Sequence, residues 1–327
     1  MSVLGHDPAV AEFRTAAEAG KLHHAWLLAG PQGVGKARFG EAAALWLLAR
    51  ASDTSLRGSD FAVPPEHPIA SLVSAGSHPD FKRLARLPKE RSEELSRSIS
   101  VDQVRSLQPL FATTPSLSPA RVVLIDAVDE LERSAANALL KNLEEPPAGT
   151  TFLLVSHAPG RLLPTIRSRC RLLRFGRLDA GISETILSRA LPDADAVEIS
   201  ALAQVADGAP GTAIRFAGLD LNALDASIER LASQGDPDNA QRAALSRALG
   251  SKAAQPRYEI FLERAQARIA AAARAGTGDR IAIIDLWERA RSIAESAVRL
   301  SLDPQLTTFE LAGLVAALAP GEGHAKR

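Results

Sequence analysis

Gly30, Gly33, Gly35 and Lys36 stand at the spacing G-x-x-x-x-G-K. Glycines so placed let successive backbone N–H groups close on phosphate oxygens, and the lysine adds a point charge. The spacing alone fits a structural glycine turn equally well. Its surroundings favour phosphate, because the loop follows the apolar run 25–29 and opens a helix with Phe39, Ala43 and Leu47 on one face. The positive end of that helix dipole would then meet the anion. The next position breaks the pattern. A phosphate-loop ATPase holds Mg²⁺ there through a Ser or Thr hydroxyl, whereas this chain has Ala37, and a methyl group ligates no metal.

A second group with chemical potential is Asp126, which ends the apolar run 122–125. A carboxylate at the C-terminal edge of a parallel strand can lie beside a phosphate-bound metal. Many strands also end in Asp for turn chemistry alone. The pairing of Asp126 with the glycine loop is what directs attention to it.

These groups need a sheet behind them. Apolar runs at 25–29, 122–125 and 151–156 alternate with helical patterns at 36–50 and 134–143. That order predicts an α/β fold, a parallel sheet covered by helices. Ser100 and Gln103 form a capping box ahead of Val104, Leu107 and Leu110, and Pro146-Pro147 stops the helix holding Leu139, Leu140 and Leu143. Residues 51–77, rich in Gly, Pro, Ser and His without periodicity, read as an insertion or long loop. Beyond about Arg174 the pattern is helical. Leu221, Leu224, Ile228 and Leu231 make one apolar stripe, and Ile283, Trp287, Ala290, Ala294 and Ala297 another. Either stripe can be core or an oligomer surface. Turn clusters at 207–211 and 276–279 suggest a small helical domain followed by a larger one.

The phosphate loop, the strand ending in Asp126, the run from Asn137 through Leu143 to Glu144-Glu145-Pro146-Pro147, and the Ser168-Arg169-Cys170 triplet combine into a family pattern. Together with His78-Pro79-Asp80 they resemble the AAA+ subunits of bacterial DNA clamp loaders, over most of residues 1–215. The resemblance implies an AAA+ P-loop domain over 1–175, a helical lid over 176–219 and an all-helical collar over 220–327. It implies that Arg169 is an arginine finger, aimed in trans at a neighbour's ATP, a device worth ~10³- to 10⁵-fold in related NTPases. Active members follow the metal-holding Asp with a Glu that polarises water, and this chain has Ala127. Glu130 lies past the strand and is a poor substitute. Where active members place a phosphate-sensing Arg, near Gly208 to Gly211, the chain has Thr212, with Arg215 the nearest alternative. Gly30, Gly33, Gly35, Lys36 and Asp126 thus outline a degenerate site. It would hold ATP or ADP without hydrolysing it, or hold nothing.

The implied partners are clamp-loader subunits of gamma/tau and delta type in a hetero-oligomeric ring, with the sliding clamp and primer-template DNA reached through the assembly. The implied role is a component of a DNA polymerase holoenzyme without ATPase activity of its own. Two other readings stay open: an active clamp-loader motor, and a P-loop interaction protein outside replication. Many related subunits carry a four-cysteine zinc module between the helix after the loop and His78. Residues 51–77 contain no cysteine, and His67 and His78 lack thiolate companions, so no zinc is expected.

Composition agrees with this outline. The 327 residues carry 38 basic and 38 acidic side chains, which argues against avid DNA binding by the chain alone. The one cysteine, Cys170, excludes an internal disulfide and reads as a small buried hydrophobe, as expected in a reducing cytoplasm. Arg167 and Arg171 read as solvated charges. With no basic leader before an apolar run and no spanning segment, a soluble cytoplasmic protein without membrane contact is expected.

Overall fold

The computed structural model describes residues 3–53, 56, 61–89, 95–117, 119–214, 216–219, 221–276, 279–300 and 302–320. The chain divides into two compact units, residues 1–215 and 216–327.

The first unit is built on β1 (Ala25–Ala29), β2 (Phe81–Ala85), β3 (Arg121–Asp126), β4 (Thr150–Ser156) and β5 (Arg171–Arg174). They form one sheet in the order β2-β3-β4-β1-β5, with every neighbouring pair parallel. Strands β1 and β4 are buried along their whole length, and β3 at every position but its last. Parallel strands covered on both faces need such continuous apolar runs. Side chains of alternate parity divide between two cores. Trp26, Leu28, Leu124, Leu153 and Val155 meet α1 (Asp7–Glu18) and α2 (Lys36–Ser52). Leu27, Val123, Ile125, Phe152 and Leu154 meet α4 (Val101–Arg105) and α6 (Arg133–Glu144). The edge strands β2 and β5 are short and charged, with one buried residue each, Leu84 and Leu173. An apolar-run reading misses them for that reason.

The capping box forms: Gln103 N donates to Ser100 Oγ and Ser100 N donates to Gln103 Oε1. The helix it opens is split, because Pro109 falls in the first turn of a separate α5 (Gln108–Phe111). Helix α6 stops at Glu144, just ahead of the proline pair.

The described residues between 51 and 77 hold more regular structure than a long loop. Helix α2 runs to Ser52 and α3 spans Pro68–Ser74, capped by His67, whose Nδ1 accepts from Ile69 N at 3.2 Å. Phe61 is buried, its ring centroid 5.3 Å from those of Phe39 and Trp46 and 5.9 Å from that of Phe13. A helix under two turns and a lone aromatic leave no periodic signature, which is why this contribution to the core is illegible. His78-Pro79-Asp80 is a joint. The buried Asp80 carboxylate accepts from the backbone of Ser116 and Leu117, and His78 Nδ1 accepts from Asp80 N at 3.0 Å.

After β5, α8 (Ala180–Ala190), α9 (Ala196–Ala206) and α10 (Pro210–Ile214) complete the first unit. The second unit holds α11 (Leu221–Gln234), α12 (Ala240–Leu249), α13 (Gln255–Ala275), α14 (Arg280–Leu300) and α15 (Pro304–Ala316). Both sequence stripes are core: Leu221, Leu224, Ile228 and Leu231 on α11, and Ile283, Ala290, Ala294 and Ala297 on α14, are buried. Trp287 is half-buried beneath the Arg291 guanidinium. No helix of the described residues is long and apolar enough to cross a membrane.

Candidate functional site

The glycine loop leaves the C-terminal end of β1 and enters α2. Its first glycine sits against β5's continuation, where a Cβ on Gly30 would stand 2.2 Å from Phe175 O, so no side chain fits. Gly33 and Gly35 have φ of +81° and +103°, a region that disfavours any side chain. Lys36, the first residue of α2, turns back over the loop and donates from Nζ to Gly30 O at 2.7 Å and to Pro31 O. Burial lowers its pKa to about 8, against the attraction of Asp129 and Asp126.

Two cavities flank this loop. One, of about 270 Å³, is lined by Lys36, Ala37, Asp126, His157 and Thr212 among others, and its cations suit phosphate. The other, of about 290 Å³, is lined by Val3, Leu4, Ile186, Pro210 and Ile214 with His6, Arg38 and Arg189. His6 is buried and donates from Nε2 to Val34 O at 2.7 Å. Desolvation lowers its pKa, which keeps the imidazole neutral. The residues of this second cavity come from the N-terminal segment, α8 and α10 as well as the loop, and converge only in three dimensions. No sequence signal marks them.

Helix α10 is seated on the loop itself. Gly211 N donates to Gly33 O at 2.9 Å, and Thr212 Oγ1 donates to Ala209 O at 2.7 Å, so its hydroxyl is engaged within its own turn. Arg215 lies outside the described residues.

At the end of β3, Asp126 Oδ2 pairs with Arg83 Nη2 at 2.8 Å, and Arg83 Nη1 pairs with Glu41 Oε1 at 2.6 Å. Ala127 is buried in the apolar core. Glu130 is not among the cavity's lining residues and pairs with Arg86 at 2.9 Å; burial raises its pKa and Arg86 opposes the rise. Asp129, which the sequence pattern did not single out, fixes the end of β4. Its carboxylate accepts from Ser156 Oγ at 2.9 Å, His157 N at 2.6 Å and Ala158 N at 3.3 Å. It thereby sets His157 on the cavity wall, where burial and then Lys36 depress the imidazole pKa.

Arg169 is elsewhere. It sits between α7 (Pro164–Arg167) and the start of β5, where Arg171 pairs in register with Trp26 near the beginning of β1. The phosphate loop leaves the same two strands at their other end, where Ala29 pairs with Arg174. At ~3.3 Å per residue the strands alone put ~10 Å between the two edges. Arg169 Nη1 donates to Thr165 O at 2.9 Å and Nη2 pairs with Glu144 Oε1 at 2.9 Å, both partly exposed to solvent. Beside it, burial pushes the Cys170 thiol up to about 12, so it stays protonated against the apolar core. Arg167 donates weakly to Pro159 O at 3.4 Å. Arg171 is not simply solvated: it donates to Glu12 Oε1 at 2.9 Å and lies 4.8 Å over the Trp26 ring. Among the described residues no group of three or more His, Cys, Asp or Glu is arranged to hold a metal ion.

The sequence pattern described as "DNA polymerase III, delta subunit" matches residues 5–179. A DNA polymerase III subunit delta' from Pseudomonas aeruginosa is 40% identical over 195 residues, 60% of this chain and 56% of that protein. The Escherichia coli subunit of the same name is 34% identical over 221 residues, 66% of this chain and 61% of that protein. A DNA polymerase III subunit gamma from Buchnera aphidicola is 34% identical over 168 residues, 51% of this chain and 42% of its own. The chain thus spans about six tenths of the length of the delta' relatives.

Proposed function

We propose, from the premise that this chain belongs to the DNA polymerase III delta subunit family, that it is a delta-prime-type subunit of a clamp loader. In this reading it hydrolyses no ATP itself and lends Arg169 to the ATP site of an adjacent subunit. Residues 1–175 act as the AAA+ domain, 176–219 as its lid and 220–327 as the collar. Gamma/tau and delta types of subunit are its neighbours in the ring. The sliding clamp and primed DNA are reached through that assembly, and ATP or ADP is at most a structural ligand.

The observation that carries the reading is the position of Arg169, at the sheet edge opposite the chain's own phosphate loop. From there it cannot serve its own nucleotide. Loss of chemistry at the loop supports the same reading. Ala37 offers no hydroxyl, and Ala127 no general base, a group that typically contributes ~10²- to 10⁴-fold. The test is single-turnover ATP hydrolysis by the reconstituted ring carrying Arg169→Ala, with assembly checked by gel filtration. Hydrolysis at the neighbouring site should fall ~10³-fold or more. Unchanged clamp-stimulated turnover would sink the proposal.

A further inference from the structure

We propose that Arg83 is a tethered cation that occupies the Asp126 carboxylate in place of Mg²⁺, so that the neighbouring phosphate site takes the phosphates of a metal-free nucleotide. The proposal rests on reading the 30–36 loop as a phosphate binder. Arg83 is the middle residue of β2, two positions ahead of Ala85, which pairs in register with Asp126. Its side chain spans that offset and places one guanidinium between two carboxylates, Glu41 at 2.6 Å and Asp126 at 2.8 Å.

Asp126 lines the cavity and is the carboxylate a divalent cation there would approach, whereas Glu41, on the helix that the loop opens, and Arg83 are not among the lining residues. The donor set does not fit the metal. Asp126 Oδ2 is engaged by a guanidinium that never loses its charge, Ala37 supplies a methyl group, and Ala127 is buried. A metal ion taking Asp126 Oδ2 would have to displace the Arg83 Nη2 bond and would be left with a guanidinium beside it. Phosphate itself remains served, by Lys36 and by Arg38, which line the same cavity. The two carboxylates balance the Arg83 charge, so the positive charge that faces phosphate is that of Lys36 and Arg38 on α2.

The probe is Mn²⁺ titrated into the full-length chain by electron paramagnetic resonance, without nucleotide or partner subunits, so the result is independent of what Arg169 does. Arg83→Gln should tighten Mn²⁺ binding by about 10-fold or more, and Arg83→Gln/Asp126→Asn should return it to the wild-type level. Equal Mn²⁺ affinity in wild type and a folded Arg83→Gln overturns the proposal. If Arg83→Gln does not fold, Arg83→Met serves instead: it keeps the apolar stem and removes the charge, so Mn²⁺ binding should still rise, and no rise overturns the proposal. Fluorescent ADP should bind wild type equally with and without Mg²⁺, and Arg83→Gln more tightly with it. Failure to bind under either condition overturns the ligand assignment and leaves the Arg169 reading standing.

Discussion

At the C-terminal edge of the sheet a glycine loop is held in shape beside Ala37 and Ala127, which offer neither hydroxyl nor carboxylate; at the N-terminal edge one arginine stands with little structural work to do. Gly30 cannot carry a side chain, Lys36 is clasped by the loop's own carbonyls, and Gly33 holds α10. Those contacts explain the loop as a joint of the fold, whether or not phosphate arrives. Arg169 makes two partly exposed bonds and contributes nothing to either core. On these contacts the loop is explained from within the fold, whereas the proposed role of Arg169 rests on its few internal ties.

Replacing Arg169 is the severest test of this contrast, with the ~10³-fold fall in the neighbour's hydrolysis expected while the variant's own melting temperature stays within a degree or two. The reverse pattern is expected for Gly30→Ala, which must move Phe175 and should cost about 1–3 kcal/mol in urea unfolding, with ring turnover lost only as far as folding is lost. A smaller effect concerns Lys36. Its folded pKa of about 8 lies below the ordinary 10.5, so the unfolded chain binds more protons between those values. Stability should rise with pH across that window, and the cost of the buried ammonium is fully present below pH 8. Nucleotide binding, which needs the charge, should fall about 10-fold between pH 7 and 9 by calorimetry. The smallest effect is Glu144→Gln. The pair it makes with Arg169 is exposed, so stability should change by under ~1 kcal/mol, and a larger change would make Arg169 structural after all.

Much of the first unit was legible because buried parallel strands must be apolar throughout and helices announce their caps. The runs that became β1, β3 and β4, the Ser100 capping box and the Pro146-Pro147 stop are of this kind. The glycines and lysine of the loop were legible as a motif, but their surroundings were not. Arg83 reaches Asp126 from 43 residues away, and Asp129 reaches Ser156 from 27. Contacts at that separation follow from strand order, which no local pattern encodes. The same holds for Phe61, whose place in the core depends on Phe13 and Trp46 being folded beside it.

The bond from Gly211 N to Gly33 O has a kinetic consequence. An amide exchanges its hydrogen only while its bond is broken. Lifting α10 off the loop breaks this one, so deuterium uptake at Gly211 is a clock for the opening of the cavity beside His6. A bound nucleotide that slowed the clock would show that the molecule is trapped behind that helix and leaves no faster than the bond lets go.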